Sequence, residues 1–174
     1  MKDIILIATI KDWNINNFYE FKKKFEDKYN LYLITNKDDL IYQNVKELNP
    51  KYIFFPHWSW LIPNEIYKNY ECILFHMTDL PYGRGGSPLQ NLITNKIYNT
   101  KISAIKVTKE LDEGDIYLKE NFDISKGSAR EIYENASNLI FSELIPKIIE
   151  NNLIPTKQEG DIVLFKRRTP EQSN

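Results

Sequence analysis

Two histidines and one acidic turn supply the residues of this chain that could move protons. His57 and His76 are its only histidines, and each comes after a short apolar run typical of a buried strand. Asp112 lies in the acidic turn at residues 111–115. Because a carboxylate raises the pKa of a neighbouring imidazole and fixes its tautomer, contact between Asp112 and His76 would give a proton shuttle suited to acyl transfer. The sequence alone leaves that contact open.

A glycine-rich segment, residues 77–88, follows His76 directly. Three glycines allow sharp turns and close approach of backbone amides to a ligand, and Ser87 and Pro88 predict an N-cap and the first residue of a helix. In α/β sheets, ligands bind beyond the carboxyl ends of the strands. The segment is therefore a candidate ligand site. The alternative is an ordinary loop beside a histidine that is satisfied by backbone groups.

Other candidate residues have a structural alternative beside the functional one. A metal site from both histidines and an aspartate is disfavoured, since no helix places two ligands at close spacing, and we predict no metal. Trp58 and Trp60 are typical of core or lid residues, but their position beside His57 also suits stacking on a ligand. Arg84 could lie on the surface or bind a carboxylate or phosphate bidentately.

The elements that must position these residues alternate between strand and helix. Continuous apolar runs predict strands at residues 4–9, 31–35, 52–55 and 72–75, and helical spacing predicts helices at 18–25, 40–48, 65–70 and from 89 onward. This order predicts an α/β fold, a Rossmann-like, mostly parallel sheet with helices on both faces.

The second half of the chain adds strands and one long helix. Residues 102–107 alternate as a half-exposed or edge strand would, residues 116–118 could return beside them, and residues 162–165 predict a terminal strand. Ser128 and Glu131 form a capping-box pattern at the start of a helix that reaches residue 148. Pro146 should bend this helix or fray its last turn.

Length and charge set the class of protein. The 174 residues suit one domain, which we place at residues 1–168 with a tail at 169–174. The 23 Lys and Arg against 24 Asp and Glu give no electrostatic footprint for nucleic acid or an anionic membrane. The single cysteine excludes an internal disulfide, and the first apolar run is too short to cross a bilayer. We therefore expect a cytoplasmic protein, with a homodimer left open.

Two motifs resemble those of the folate-dependent formyltransferases. The segment from His76 to Pro81, followed by Arg84-Gly85 and Pro88, is similar to the family hallmark Asn-x-His-x-Ser-Leu-Leu-Pro with its Arg-Gly and proline. The turn at residues 111–115 looks like the family's Leu-Asp-x-Gly-Asp turn. The spacing of the two motifs matches methionyl-tRNA-type members without a gap. The resemblance implies the family's catalytic fold and N10-formyltetrahydrofolate as co-substrate.

The resemblance also implies roles for individual residues. His76 and Asp112 would be catalytic. The pterin of the folate would lie against the residues after the third strand and against the acidic turn, namely Trp60, Leu61, Ile62, Leu111, Glu113 and Asp115. Substrate-side positions are Thr78 and Arg84, from the motif, and Lys11, Trp13 and Tyr82, which are assigned only from their expected loop positions.

One departure from the family pattern affects the chemistry. The family has an asparagine two residues before the histidine, where this chain has Leu74. That asparagine donates a hydrogen bond to the developing oxyanion, and loss of one such donor typically lowers the rate by about 10²–10³. We hypothesise that His57, at the end of the neighbouring strand, supplies the missing donor. The alternative is a structural His57 beside an impaired site.

The sequence around the motifs is similar to that of the short sugar N-formyltransferases of pseudaminic-acid-type pathways. That similarity implies a small-molecule acceptor, the 4-amino group of a nucleotide-linked amino sugar, with neither nucleic acid nor membrane as partner. Two alternatives stay open. One is transfer to another small amine, such as glycinamide ribonucleotide or a carrier-bound amino acid. The other is a non-catalytic folate- or nucleotide-binding module, which is suggested by Leu74.

Overall fold

A six-stranded sheet runs through the centre of the computed structural model, which describes residues 1–169. The strands are β1 (Asp3–Thr9), β2 (Tyr29–Ile34), β3 (Tyr52–His57), β4 (Cys72–His76), β5 (Tyr82–Gly85), β6 (Asn99–Lys106), β7 (Ile116–Asp123) and β8 (Val163–Phe165). The helices are α1 (Asp12–Phe25), α2 (Tyr42–Leu48), α3 (Asn64–Asn69), α4 (Pro88–Thr94), α5 (Ala129–Leu139) and α6 (Ile145–Asn151).

The sheet has the order β2-β1-β3-β4-β6-β7, and its first four strands are parallel. β6 and β7 complete it as antiparallel strands. Residues 5–8 of β1 are completely buried, which explains why these four positions are all apolar rather than alternating with polar ones. The predicted α/β fold, with a mostly parallel sheet, is confirmed.

Helices cover both faces of the sheet, as predicted. On one face α1, α5 and α6 pack through residues such as Phe21, Ile132 and Ile148. On the other face α2 and α3 contribute Val45 and Ile66. The carboxyl ends of β1, β3 and β4 therefore open at one edge between two helical layers, where α/β folds bind their ligands.

The long C-terminal helix begins as the sequence predicts. The Ser128 side chain accepts a hydrogen bond from the Glu131 amide, and the Glu131 side chain accepts one from the Ser128 amide. A π-helical turn at Ile140–Leu144 then precedes Pro146, and the helix continues to Asn151. Because proline cannot donate the usual amide bond, the wider turn accommodates it. Pro146 therefore does not fray the end of the helix.

Three local features differ from the sequence pattern in part. β6 lies inside the sheet, between β4 and β7, and its centre is buried, so it is not an edge strand. Part of the glycine-rich segment forms β5, which pairs in parallel with β8 in a second, two-stranded sheet. Ser87 is the N-cap residue of α4 and Pro88 its first residue, as predicted, but the Ser87 hydroxyl makes no cap hydrogen bond and accepts one from the Arg168 amide instead. The pairing of β5 with β8 explains both of the latter differences.

No helix within residues 1–169 combines the length and apolar character needed to cross a bilayer. The predicted tail at residues 169–174 lies outside the described residues except for Thr169.

Candidate active site

His76, the last residue of β4, is held between a backbone carbonyl and a carboxylate. Its Nε2 donates a hydrogen bond to the Gly83 carbonyl at 2.7 Å, because that oxygen can only accept. Its Nδ1 lies 3.5 Å from Asp112 Oδ1. Both side chains are shielded, with 8% and 14% of their surface exposed. The contact left open by the sequence is therefore present, and Nδ1 is the ring nitrogen that faces the carboxylate.

Asp112 is fixed by the backbone around it. Its second oxygen, Oδ2, accepts a hydrogen bond from the Gly85 amide at 2.9 Å. Its φ of 59° lies in the left-handed region, which aspartate tolerates better than most residues. Gly114 allows the turn to pass close to β6, since a Cβ there would lie 1.7 Å from the Lys106 carbonyl oxygen. The backbone conformation of the turn therefore directs the Asp112 carboxylate towards His76.

A cavity of about 450 Å³ opens beside this pair. Trp58, Trp60, Leu61 and Ile62 line one side of it, and residues 105–112 line the other. Trp60 is 39% exposed at the mouth of the cavity. The volume lies within the range of small-molecule sites, and the aromatic walls suit a flat heterocycle.

A smaller cavity, of about 210 Å³, lies on the other side of His76. It is bounded by Trp13 on α1, by Met77, and by Tyr133 on α5. The two cavities share a wall, which consists of His57, Trp58, Phe75 and His76. A group bound in either cavity would therefore reach the same imidazole.

The shared wall contains two further hydrogen-bond donors. His57 is half-buried, and burial and, to a lesser extent, the Lys11 ammonium lower its pKa below the ordinary value of 6.5. Its ring is therefore neutral at pH 7 and carries one N–H. The Trp58 indole Nε1 is buried and has no hydrogen-bond partner among residues 1–169. Leu74 lines the larger cavity without any polar atom, at the position of the family's asparagine.

The structure separates the predicted site residues into two groups. His76, Asp112, His57, Trp60, Leu61, Ile62 and Leu111 line the larger cavity, and Trp13 lines the smaller one. The remaining predicted residues, Glu113, Asp115, Thr78, Tyr82, Arg84 and Lys11, line neither cavity. Direct ligand contact by these six stays a prediction.

Most residues of the second group have protein partners instead. Thr78 is fully buried and donates to the Gly83 carbonyl at 3.3 Å. Tyr82 packs edge-on against Phe165. The Arg84 guanidinium donates to Glu113 Oε1 at 3.1 Å, which occupies both charged groups. These contacts support the walls of the site from outside the cavities.

The sequence analysis missed Gln158. Its side chain accepts hydrogen bonds from Arg84 and donates to backbone carbonyls of the acidic turn. It lies in the irregular segment between α6 and β8, more than 40 residues beyond that turn, so no local pattern indicated its role.

Within residues 1–169, no cluster of three His, Cys, Asp or Glu side chains is arranged to hold a metal ion. Cys72 is buried, which raises the pKa of its thiol to about 12 and makes it a poor nucleophile. The histidine–aspartate pair is therefore the strongest candidate for chemistry in this part of the chain.

Comparison with known proteins agrees with the motifs. The model of a protein family described as formyl transferase matches residues 17–149, which is more than half of the chain. The chain belongs to the formyl transferase family. The matched range includes both His76 and Asp112, and the predicted family resemblance is thereby confirmed.

The relatives differ in how similar they are to this formyl transferase. A methionyl-tRNA formyltransferase of Rickettsia massiliae is 28% identical over 152 residues, which are 85% of this chain and 50% of that protein. A solved structure of a methionyl-tRNA formyltransferase from Clostridium thermocellum is 55% identical, with a TM-score of 0.94, over 98% of this chain and 74% of the other. The chain thus spans about half the length of the curated relatives that it matches.

The formyltransferase PseJ from Anoxybacillus kamchatkensis was solved with a UDP-linked formamido sugar and tetrahydrofolate. It is 18% identical, with a TM-score of 0.71, over 94% of this chain and 85% of the other. This similarity shows a shared fold only. The predicted membership of the sugar N-formyltransferase subgroup is not supported by the more similar relatives, which are named as methionyl-tRNA formyltransferases.

Proposed function

We propose that this chain transfers a formyl group from N10-formyltetrahydrofolate to a primary amine. The observation that carries the proposal is the position of His76, which faces Asp112, in the wall between two cavities. A transferase must hold two substrates on either side of one reacting centre. Much of its rate enhancement then comes from proximity and orientation.

The larger cavity is the better site for the folate. Its volume of about 450 Å³ and its aromatic walls suit a pterin and the ring attached to it. The acidic turn that carries Asp112 forms one side of this cavity, so a bound folate would extend its formyl group towards His76. Family membership supports the same assignment, because the matched range contains both motifs.

The smaller cavity would hold the unit that carries the acceptor amine. No aspartate or glutamate is among its lining residues within the described chain, so no carboxylate there favours an ammonium ion. A neutral amine is the nucleophilic form. Its lone pair attacks the formyl carbon, and the carbonyl oxygen takes up the negative charge of the tetrahedral adduct.

The adduct then collapses as the bond between carbon and N10 breaks. The attacking amine loses one proton and N10 of the folate gains one, so the reaction is balanced without another reagent. His76 Nδ1 faces the carboxylate at 3.5 Å, a distance that leaves this nitrogen without a short hydrogen bond. We assign to Nδ1 the role of proton relay, with Asp112 stabilising the protonated ring.

The oxyanion also needs hydrogen-bond donors, and Leu74 provides none. His57 lines both cavities and is neutral with one N–H, which makes it the first candidate. The Trp58 indole N–H is the second, since it is buried in the same wall with no partner in the described part of the chain. We propose that His57 supplies the donor, as the sequence analysis hypothesised.

For the acceptor, we propose the amino group of a carrier-bound amino acid. The names of the more similar relatives support this alternative better than the sugar acceptor. The cavity of about 210 Å³ has room for an amino-acid side chain, while a large carrier would stay outside. Mostly apolar lining residues, such as Met77 and Ile140, suit an apolar side chain.

A nucleotide-linked amino sugar is the second candidate. It is favoured by the balanced charge of 23 basic against 24 acidic residues, because proteins that bind nucleic acid use an excess of positive charge against the phosphates. Only its amino-sugar unit would enter the smaller cavity.

One assay tests these proposals together. The protein is incubated with N10-formyltetrahydrofolate and a panel containing methionyl-tRNA, aminoacyl esters, glycinamide ribonucleotide and UDP- and dTDP-linked 4-amino sugars. We expect turnover on an aminoacyl acceptor, lowered about 10³-fold or more by His76→Ala and by Asp112→Asn. Turnover on sugars alone would select the second candidate. Tight folate binding without turnover on any amine would favour a non-catalytic binding module.

A further inference from the structure

The Gln158 side chain is hydrogen-bonded to two segments of the site, the acidic turn that carries Asp112 and strand β5. Its Nε2 donates to the Asp112 carbonyl and to the Gly114 carbonyl, each at 2.8 Å. Its Oε1 accepts from Arg84 Nε at 3.1 Å and from Arg84 Nη2 at 2.9 Å. The Gln158 amide therefore links the acidic turn to β5, in the glycine-rich segment that follows His76.

These four hydrogen bonds fix the orientation of the amide. Rotation by half a turn would point the amide oxygen at two carbonyls and the NH₂ at the guanidinium, so all four contacts would become repulsive. A carboxylate could keep the contacts with Arg84 but cannot donate to the turn. A neutral side-chain amide is thus the group that fits both sides.

The contacts act at the backbone of Asp112 itself. The Asp112 carboxylate is aimed from a left-handed backbone conformation, which costs free energy and persists only where neighbouring contacts hold it. Gln158 donates to the carbonyl of that residue and to the one two positions later. Asp112 Oδ1 lies 3.5 Å from His76 Nδ1, so a small shift of the turn would change this distance.

From this geometry we infer that Gln158 is a positioning residue that holds the Asp112 carboxylate towards His76 Nδ1. Gln158 lies beyond residues 17–149, the range matched by the family model, so the family pattern assigns it no role. The inference rests on the proposed function for its catalytic consequence. Its geometric part, the orientation of Asp112 against the imidazole, can be measured without turnover.

Nitrogen NMR of the histidine rings provides that measurement. The chain has two histidines, so a His57→Gln spectrum assigns the His76 resonances. We expect Gln158→Ala and Gln158→Glu to move the His76 Nδ1 resonance more than the Nε2 resonance, since Nε2 is bonded to the Gly83 carbonyl. Lys157→Ala, an exposed change in the same segment, is the matched control and should move neither. An unmoved Nδ1 resonance in both Gln158 variants would overturn the inference.

Kinetics then test the catalytic consequence. We expect Gln158→Glu to lower kcat about tenfold in the wild-type background and to have little further effect in an Asp112→Asn background, because both changes act on the same contact. An equal loss in both backgrounds would contradict positioning through Asp112. If Gln158→Ala does not fold, Gln158→Glu, which keeps the contacts with Arg84, decides the result.

The two readouts separate the two proposals. A shifted Nδ1 resonance in a protein that formylates no amine would support positioning and reject the proposed function. Turnover that is unchanged in the Gln158 variants would support the proposed function and reject the positioning role.

Discussion

The two sides of His76 are built in opposite ways. On the side of Asp112, the groups that hold the carboxylate in place have defined partners, since the carboxylate accepts from the Gly85 amide and the turn is hydrogen-bonded to Gln158. On the side of Leu74, the position of the family's asparagine is apolar, and the cavity wall offers the His57 ring and the Trp58 indole, whose Nε1 has no hydrogen-bond partner among residues 1–169.

The difference suits the two parts of the proposed reaction. A relayed proton needs a defined donor and acceptor geometry, and the hydrogen-bonded side provides it. An oxyanion is stabilised by hydrogen-bond donors that are not already bonded to other groups when the charge develops. The Leu74 side offers two such donors. On the Asp112 side, we therefore expect substitutions to lower activity by displacing the carboxylate from His76. On the Leu74 side, we expect them to lower activity by removing a hydrogen-bond donor to the oxyanion.

Among variants that keep both His76 and Asp112, the largest effect should come from Gly114→Ala. The new Cβ would lie 1.7 Å from the Lys106 carbonyl oxygen, so the acidic turn must move away from β6. We expect kcat to fall at least 10²-fold and the free energy of unfolding to drop by about 3 kcal/mol, measured by denaturant titration. Gly86→Ala, whose Cβ would lie 3.1 Å from Arg167 Cβ, is the milder control because the approach is much less close. Near-normal kcat in Gly114→Ala would show that the turn is less constrained than its contacts indicate.

On the opposite side, His57→Ala should lower kcat about 10²-fold if its ring donates to the oxyanion. Leu74→Asn should recover part of that loss in the same background, because it restores the family's amide at the cavity wall. Steady-state kinetics of the two single variants and the double variant measure this directly. Near-normal turnover of His57→Ala would reject the donor role, and a loss in Trp58→Phe would then transfer it to the indole N–H.

Two tryptophan variants should show, through smaller effects on KM, which substrate each cavity binds. Trp13 lines the smaller cavity and Trp60 the larger one. Truncation of an aromatic wall typically weakens binding by about 1 kcal/mol or more. We expect Trp13→Ala to raise the KM of the acceptor about fivefold to tenfold and Trp60→Ala to raise that of the folate. The reverse pattern would exchange the assignment of the two cavities.

The smallest effect concerns stability against pH. Burial lowers the pKa of His57 in the folded protein, so on acidification the unfolded chain binds this proton first. Stability conferred by a neutral His57 is therefore present above about pH 6.5 and is lost as the pH falls below it. We expect His57→Gln to reduce the loss of Tm between pH 7.5 and 5.5. An unchanged slope would mean that His57 has the same pKa in the folded and unfolded states.

The sequence predicted the parts of this protein that depend on local patterns. Apolar runs located β1, β3 and β4, and the capping-box residues Ser128 and Glu131 located the start of α5. The resemblance paired His76 with Asp112 before any contact was visible. Each of these predictions rests on residues close in sequence or on a motif with fixed spacing.

Long-range pairing could not be predicted in the same way. Residues 82–85 have the composition of a loop, and they become a strand only because β8 lies beside them. Gly85 permits that approach, since a Cβ there would lie 2.3 Å from the Phe165 carbonyl oxygen. For the same reason Arg84 was predicted to contact substrate, whereas its partners are Glu113 and the distant Gln158.

The pairing of β5 with β8 has a consequence for recombining this protein with its relatives. A chimera joined at the end of the range matched by the family model would change chains after residue 149. Such a junction would keep His76 and Asp112 but replace the segment that supplies Gln158 and β8. An exchanged segment that keeps these contacts must extend past Phe165, so it is longer than the matched range.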